Sequence, residues 1–258
     1  MPDPALRTAI KNGEFILAPG VFEAISALLA DREGFKALYV TGYGTVASAL
    51  GLPDAGLATY SDMLGRIATI CERTTTPVIA DADTGYGNAI NVMRAVEEFI
   101  RSGVAGIHLE DQIAPKRCGH TGGKQVVGRD EALSRIRAAV DARDEGADIL
   151  IMARTDARAT DGFDEAMWRI REFADLGADI LFLEAPRDED EMKRYCDDVE
   201  GPKMANMTEF GRSPYFTADG FQDMGYDIVI WPATSMRVAA HAMTELYGHL
   251  RDNGGCEA

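Results

Sequence analysis

One short pattern recurs five times along the chain and limits the folds that it can adopt. Each copy has a glycine after a polar, helix-like segment, followed by a run of hydrophobic residues; the copies begin at Gly34, Gly103, Gly146, Gly177 and Gly225. Glycine commonly ends a helix in the left-handed conformation, and a short hydrophobic run is typical of a strand buried on both faces of a parallel sheet. The pattern therefore predicts alternating helices and parallel strands.

Three further hydrophobic segments bring the number of predicted strands to eight: 15–18, 37–41, 78–80, 107–110, 149–154, 180–183, 203–206 and 228–230. The clearest helical patterns between them cover 59–73, 89–101, 130–145, 163–176 and 235–250, with Thr59 and Asp161 as N-terminal capping residues. A (β/α)8 barrel has typically about 250 residues, close to the 258 of this chain. We predict an α/β fold, a single TIM-type (β/α)8 barrel domain over 1–258; a doubly wound open sheet is the alternative.

Composition excludes several classes of partner. The chain has 26 Lys and Arg against 42 Asp and Glu, a net charge of −16, which repels nucleic acid and anionic lipid or reflects adaptation to high salt. No hydrophobic run approaches the roughly 20 residues that span a bilayer, and the first residues lack a signal-peptide pattern. The four cysteines form no CxxC pair, which is typical of proteins whose thiols stay free in a reducing compartment. We therefore expect a cytoplasmic protein.

Acidic residues follow the ends of the predicted strands. Asp81 and Asp83 lie two residues apart, as do His108 and Glu110, so the members of each pair point the same way from a strand. Oxygen ligands without thiolates suit Mg²⁺ or Mn²⁺. We expect Asp81 and Asp83 nearest the metal, with Glu110 and His108 reaching it through water. The alternative is metal-free ion pairing of these acids with Arg154, Arg158 and Lys116.

A second reactive group lies in the segment from Lys116 to His120, which contains Cys118 between basic residues. Neighbouring cations stabilise a thiolate, so we expect the pKa of Cys118 to fall toward neutrality, where the thiol can exchange protons at physiological pH. An incidental cysteine or half of a zinc site is the alternative. Several basic residues follow strand ends and predict a pocket for a small anionic ligand: Lys116, Arg117, Arg129, Arg154, Arg212 and Arg237.

Five motifs together resemble the isocitrate lyase and phosphoenolpyruvate mutase superfamily. They are Asp81-Ala-Asp-Thr-Gly-Tyr-Gly, His108-Leu-Glu-Asp-Gln, Lys116-Arg-Cys-Gly-His, Ala153-Arg-Thr-Asp-Ala and Asn206-Met-Thr-Glu-Phe-Gly. The match covers nearly the whole chain in order and is most similar to the 2-methylisocitrate lyase and 2,3-dimethylmalate lyase branch, because the cysteine motif marks the carbon–carbon lyases. Tyr43 stands where methylisocitrate lyases usually have glycine, and resembles the dimethylmalate type.

The resemblance implies a set of roles. Asp81 and Asp83 would hold Mg²⁺ near Glu110, and Cys118 would donate and accept the proton from a mobile loop over 115–123. Substrate contacts would come from Tyr39, Thr41, Gly42, Tyr43, Gly119, His120, Arg154, Glu184, Asn206, Thr208 and Arg237. Members of the family often exchange the eighth helix between paired subunits in a dimer of dimers, which implies a homotetramer here.

The implied reaction is cleavage of a 2-hydroxy di- or tricarboxylate into a 2-oxo acid, pyruvate or glyoxylate, and a second, succinate-like carboxylate. Arg154, His120 and Asn206 would stabilise the carbanion that Cys118 protonates, while Tyr43, Glu110 and Glu184 are all candidates for the base that takes the hydroxyl proton. A metal-dependent decarboxylase of 2-oxo acids such as oxaloacetate, or a phosphonate enzyme, is one alternative function. A non-catalytic barrel that binds dicarboxylates is another.

Overall fold

The computed structural model describes residues 4–146 and 148–256. Its centre is a closed barrel of eight parallel strands in which each strand pairs with the next along the chain and the last pairs with the first. The strands are β1 (Ile16–Val21), β2 (Leu38–Val40), β3 (Val78–Asp81), β4 (Gly106–Glu110), β5 (Leu150–Thr155), β6 (Ile180–Leu183), β7 (Lys203–Asn206) and β8 (Ile228–Trp231). The predicted TIM-type (β/α)8 fold is confirmed, and the alternative of an open sheet is wrong because β1 pairs with β8 from Ile16–Ile228 to Pro19–Trp231.

Helices follow the strands and surround the barrel. Within the described ranges they are α1 (Ala5–Lys11), α2 (Ala24–Arg32), α3 (Gly42–Leu50), α4 (Tyr60–Arg73), α5 (Ala89–Ser102), α6 (Arg129–Gly146), α7 (Ala157–Thr160), α8 (Phe163–Asp175), α9 (Glu189–Asp198), α10 (Ala218–Asp223) and α11 (Thr234–Asn253). The five predicted helices correspond to α4, α5, α6, α8 and α11. In this part of the chain, no helix is long and apolar enough to cross a membrane.

The alternation of side chains along each strand separates two hydrophobic cores. Ile79, Met152 and Phe182 belong to the cluster inside the barrel, while their neighbours along the strands pack outward against the helices. Leu6 of α1 is buried against the inner cluster. Residues two apart along a strand point to the same side, so the positions that point into the barrel continue past each strand end, where they are polar. These polar side chains meet at the carboxyl end of the barrel.

Local capping explains where several helices begin. Thr59 caps α4: its side chain accepts a hydrogen bond from the Asp62 backbone N–H, and the Asp62 carboxylate accepts one from the Thr59 backbone N–H, as the sequence predicts. The prediction for Asp161 is wrong, because Gly162 occupies the capping position of α8 and provides no side-chain bond. The backbone of Gly162 has φ +99°, a conformation that favours glycine.

The last helix, α11, differs from the others. It is 20 residues long and none of its residues is buried within this one chain. Its exposed apolar side chains include Val238, Met243 and Tyr247. Exchange of this helix between subunits stays a prediction.

Candidate active site

A cavity of about 250 Å³ opens at the carboxyl end of the barrel. Most predicted site residues line it. The lining comes from β2, β3, β5 and β7, from the first turns of α3 and α11, and from the loops after β2, α3, β4, β7 and β8. The lining residues are Tyr39, Thr41, Tyr43, Asp54, Asp81, Lys116, Cys118, Gly119, His120, Thr121, Arg154, Asn206, Thr208, Phe210, Gly211, Pro232, Ala233 and Arg237. Five predicted residues are absent from this wall and contact it from behind: Gly42, Asp83, His108, Glu110 and Glu184.

Asp81 is the acidic group of β3 that faces the cavity. Its Oδ2 accepts a hydrogen bond from the Gly42 backbone at 3.2 Å, and its Oδ1 accepts one from the Asp83 backbone at 2.9 Å. Burial opposes ionisation, but His108 and Lys116 lower the pKa of Asp81 well below its usual value. Gly42 is required for this contact, since a Cβ there would lie 2.4 Å from Asp81 Oδ2. Asp81 is therefore a fixed carboxylate at neutral pH.

His108 lies one layer deeper than predicted. Its side chain is fully buried, with Nε2 3.0 Å from Asp81 Oδ1 and Nδ1 3.1 Å from the Tyr39 hydroxyl. The Phe182 ring packs edge-on against it. Both ring nitrogens face protein atoms, and the contact of His108 with a metal through water stays a prediction. His108 orients Asp81 from within the barrel.

Asp83 belongs to a second charged group, in which its pairing with Lys116 is the predicted alternative and Asp54 is a member that the sequence did not indicate. Lys116 Nζ lies 2.7 Å from Asp83 Oδ1 and 2.7 Å from Asp54 Oδ1, and all three side chains are buried. Burial, together with Asp81 and Asp54, raises the pKa of Asp83 to about 6 against the opposing effect of Lys116. Asp54 enters the site from the loop between α3 and α4, 62 residues before its partner. The buried lysine thus joins this loop to the loop that carries Cys118.

Arg154 of β5 is the centre of a third charged group. Its guanidinium lies 2.9 Å from Asp156 Oδ2, 3.2 Å from Glu110 Oε2 and 3.8 Å from Glu184 Oε2. Burial raises the pKa of Glu110 well above its usual value despite Arg154. Lys124 Nζ contacts Asp156 Oδ1 at 2.6 Å. Part of the predicted ion pairing is therefore present, although Arg158 lies outside the site and pairs with Glu191 at 2.7 Å.

The charges around the cavity do not balance. Among the described residues, six acidic side chains (Asp54, Asp81, Asp83, Glu110, Asp156 and Glu184) surround it with three buried cationic side chains (Lys116, Lys124 and Arg154), and Arg237 is more exposed and pairs with Glu209. Glu110 Oε1 is buried with no hydrogen-bond partner among the described residues. A carboxylate excess with an unpartnered oxygen fits a hard divalent cation. Over 4–146 and 148–256, no three His, Cys, Asp or Glu side chains form a joint metal cluster, so such a cation would have few direct protein ligands.

The loop after β4 lies over the cavity and brings Cys118 into its wall. The Cys118 backbone N–H donates to the Asp54 carbonyl at 3.3 Å. The expected fall of the thiol pKa is wrong: burial, together with Asp54 and Glu184, raises it. The neighbouring cations do not act on the sulfur as predicted, because Lys116 is paired with carboxylates and Arg117 points to the Gly122 carbonyl. Cys118 is therefore protonated at neutral pH.

His120, on the same loop, is held in one tautomer. Its Nδ1 accepts a hydrogen bond from the Arg212 backbone at 3.0 Å, so the proton belongs on Nε2, which lies 3.2 Å from Glu184 Oε1. Burial lowers the pKa of His120, and the ring is neutral. Asn206 Nδ2 donates to both Glu184 oxygens at 3.3 Å, while Thr208 donates to Asn206 Oδ1 at 3.0 Å. These contacts form a continuous polar wall.

Bulkier side chains surround the mouth of the cavity. Tyr43 is 38% exposed there, and Phe210, Pro232 and Ala233 complete an apolar edge. Arg237, at the first turn of α11, donates to the Glu209 carbonyl at 2.7 Å and leaves part of its side chain at the cavity. The apolar edge was not predicted, because the loops after β7 and β8 carry no pattern that places it.

Not all predicted basic residues reach the pocket. Arg129 lies on the outside of the barrel, where it pairs with Glu165 and covers the Trp168 ring at 3.8 Å. Arg117 is exposed, and Arg212 contacts His120 behind the cavity wall. The prediction of a pocket cation is therefore wrong for Arg117, Arg129 and Arg212. The four cysteines are free, as predicted, and burial raises the pKa of Cys71 and of Cys196 to about 12.

Comparison with known proteins assigns the family. The model of the phosphoenolpyruvate phosphomutase family matches residues 6–251. The chain belongs to the phosphoenolpyruvate mutase/isocitrate lyase superfamily. It is 46% identical to a 2,3-dimethylmalate lyase of Eubacterium barkeri over 96% of this chain and 86% of that protein. It is 43% identical to a 2-methylisocitrate lyase of Aeropyrum pernix, covering 98% and 81% of the two chains.

Solved structures agree with this assignment. An oxaloacetate acetylhydrolase in complex with the inhibitor 3,3-difluorooxalacetate superposes with a TM-score of 0.96 at 43% identity, over 98% of this chain and 87% of the other. A phosphonopyruvate hydrolase in complex with oxalate and Mg²⁺ superposes with a TM-score of 0.85 at 28% identity, over 97% and 87% of the two chains. The superfamily predicted from the motifs is confirmed, and the chain is a carbon–carbon lyase of it.

Proposed function

We propose that this lyase cleaves a 2-hydroxy di- or tricarboxylate of the alkylmalate or methylisocitrate type, with Mg²⁺ as its cofactor. The products are a 2-oxo acid and a second carboxylate. One observation carries the proposal: a fixed carboxylate, Asp81, and a protonated thiol, Cys118, line the same cavity of about 250 Å³. A cavity of that size suits a small acid, with one half of the molecule at each group.

Recognition of the carboxylates follows from the polar wall. Arg154 is a buried cation and the Asn206 amide is a hydrogen-bond donor at the cavity surface, while the one ring N–H of the neutral His120 faces Glu184 beside them. Such donors are already oriented by Asp156 and Glu184, so they need little reorganisation when charge develops on the substrate. They are therefore suited to stabilise the carbanion that remains after the carbon–carbon bond breaks.

Asp81, with Asp83 and Glu110 behind it, would hold the divalent cation. Bound there, the cation would supply Lewis acidity toward the 2-hydroxyl, and its positive charge would offset the carboxylate excess around the cavity. Mn²⁺ has similar ligand preferences and is expected to replace Mg²⁺.

Cys118 is suited to donate the proton to the carbanion carbon. Its raised pKa keeps a proton on sulfur at neutral pH, which is the state a general acid needs in the cleavage direction. Of the three candidates for the group that accepts the hydroxyl proton, Tyr43 lines the cavity. Glu110 and Glu184 lie behind the wall, next to Arg154 and His120. The geometry therefore favours Tyr43.

The apolar edge of the mouth suits the alkyl substituent of the substrate. Tyr43, Phe210 and Pro232 provide this edge, next to the donors that take the carboxylates. A named relative acts on 2,3-dimethylmalate, an acid whose methyl groups need such a surface. We therefore place alkylmalates first among the substrates.

A panel of substrates tests the proposal. The purified chain is incubated with Mg²⁺ and 2,3-dimethylmalate, 2-methylisocitrate, isocitrate or oxaloacetate, and the 2-oxo products are trapped and quantified. Pyruvate or glyoxylate released from a 2-hydroxy acid supports the lyase. Acetate and oxalate released from oxaloacetate would instead indicate the hydrolase reaction named for a structural neighbour. Pyruvate released from oxaloacetate would indicate a decarboxylase. Turnover of none of these acids would indicate a binding protein.

We also propose that the enzyme acts in the cytoplasm as a homo-oligomer, a dimer of dimers that exchanges α11. The unburied α11 supports this arrangement, as does an apolar groove beside β1 and β8 lined by Leu17, Phe35 and Trp231. Light scattering of the purified chain tests it. A tetramer mass supports the proposal and a stable monomer contradicts it.

A further inference from the structure

The turn after β7, residues Thr208–Arg212, receives the loop that carries Cys118. The backbone N–H of Arg212 donates to His120 Nδ1 at 3.0 Å, and Arg212 Nε donates to the His120 carbonyl at 3.1 Å. The same residue thus holds both the ring and the backbone of His120. Its guanidinium also lies near Gly122, where an added Cβ would be 3.4 Å from Nη2.

The turn has the shape that this contact requires. Gly211 lies against the His120 ring, because a Cβ there would be 2.7 Å from His120 Nδ1 and 2.7 Å from the Thr208 carbonyl. Phe210, just before it, is fully exposed and has φ +63°. A left-handed conformation is strained for a phenylalanine and persists where the surroundings enforce it. This conformation of Phe210 directs the backbone of Gly211 and Arg212 toward His120.

A second contact holds the loop from the inside. Lys124 is buried and donates to the Gly119 carbonyl while it pairs with Asp156. Arg212, in contrast, is exposed, so water can replace its bonds when the loop moves. The two contacts therefore differ: the Lys124 contact is buried, whereas the exposed Arg212 contact can break when the loop moves.

We propose that Arg212 is a positioning residue whose guanidinium latches the 117–123 loop over the cavity through the His120 carbonyl, while its backbone N–H sets the tautomer of His120. Breaking this contact frees His120 and, with it, Cys118 two residues earlier. Arg212 does not line the cavity, so its effect on the reaction passes through the loop. The catalytic part of this inference rests on the proposed lyase function, whereas the loop contact does not.

Alkylation of Cys118 tests the contact without any turnover. The full chain and its variants are treated with iodoacetamide, and the peptides that contain Cys118 and the exposed Cys256 are quantified by mass spectrometry. Arg212→Ala is expected to raise the rate at Cys118 by about three- to tenfold, the effect of losing one hydrogen bond from the closed loop. The rate at Cys256 is expected to stay constant. Equal Cys118 rates in the variant and the wild type would overturn the latch.

Two further variants separate a latch from a merely structural role. Arg212→Lys keeps a cation that can donate to the His120 carbonyl and is expected to restore most of the protection of Cys118. Arg187→Ala, which removes an exposed arginine from the loop after β6, is the matched control and is expected to behave as the wild type. A lysine variant as reactive as Arg212→Ala, or an equal rise in Arg187→Ala, would contradict the proposal.

Kinetics test the same inference on the reaction. With the latch weakened, fewer molecules are closed over the substrate, so kcat/KM is expected to fall by about the factor seen in alkylation while the melting temperature is unchanged. Gly211→Ala, which pushes His120 away, should act in the same direction on both readouts. A wild type without lyase activity would contradict the proposed function but leave the alkylation result intact. Changed alkylation with unchanged kcat/KM would refute the positioning role.

Discussion

Gly119→Ala is expected to disable the site without unfolding the protein. A Cβ on Gly119 would lie 2.2 Å from Glu184 Oε1 and 2.5 Å from Arg154 Nη2. The first distance is about 1 Å shorter than an ordinary contact of 3.4 Å. Glu184 is fully buried and held by Asn206, and Arg154 is held by Asp156, so neither can move away. The loop must lift instead, and it carries the neighbouring thiol of Cys118 with it.

The size of the effect follows from that displacement. A misplacement of about 1 Å costs on the order of 100-fold in rate, which corresponds to about 2.7 kcal/mol of transition-state stabilisation. We expect kcat/KM for the best substrate of the panel to fall by about 100-fold, measured as the initial rate of 2-oxo acid release. The melting temperature should change by no more than a few degrees, because the loop lifts away from an intact barrel.

Gly128→Ala is the matched control. Gly128 lies at the other end of the connection between β4 and α6, and a Cβ there would meet nothing within 4 Å. This variant should retain wild-type activity. Full activity in Gly119→Ala would refute the close fit of the loop, and a loss in Gly128→Ala as large as that in Gly119→Ala would show that the effect is not specific.

Three further predictions concern the thiol and the metal. Cys118→Ser should lower kcat by about two orders of magnitude, the usual contribution of a positioned acid, with KM nearly unchanged; normal turnover would remove Cys118 from the mechanism. Chelation with EDTA should abolish cleavage and Mg²⁺ or Mn²⁺ should restore it, so full activity in EDTA would disprove the metal assignment. Because cleavage needs the protonated thiol and the pKa of Cys118 is raised, activity should persist through neutral pH and fall only as the pH passes that pKa. A fall already near pH 7 that is absent in Cys118→Ser would contradict this ionisation state.

Regular features of the fold could be predicted because they depend on local sequence. Five strands followed from hydrophobic runs after glycines and three from further hydrophobic segments, and α4 began at the predicted cap, Thr59. Short or atypical helices were missed for equally local reasons. The helix α3 begins with Gly42-Tyr-Gly, and α2 is capped by Glu23 with Ser26 in the third position, the reverse of the usual capping box.

The site was harder to predict because its electrostatics depend on three-dimensional partners. The strand-end rule placed Asp81 and Arg154 at the cavity correctly, since it needs only the alternation of side chains. It could not show that Lys116 is paired with Asp54 from a distant loop. That pairing takes the cation away from Cys118 and leaves burial to set the thiol pKa. The depth of His108 was likewise missed, because alternation gives the side of a strand and not the layer of the barrel.

The central claim is that Asp81 and Cys118 act on opposite halves of one small acid. Cleavage in D₂O tests it most directly, with the carboxylate product analysed by NMR and mass spectrometry. We predict that the wild type places one deuterium stereospecifically on the carbon that was bonded to the 2-oxo acid, and that the residual product of Cys118→Ser lacks this stereospecificity. Stereospecific labelling by the variant at the wild-type rate would contradict the claim.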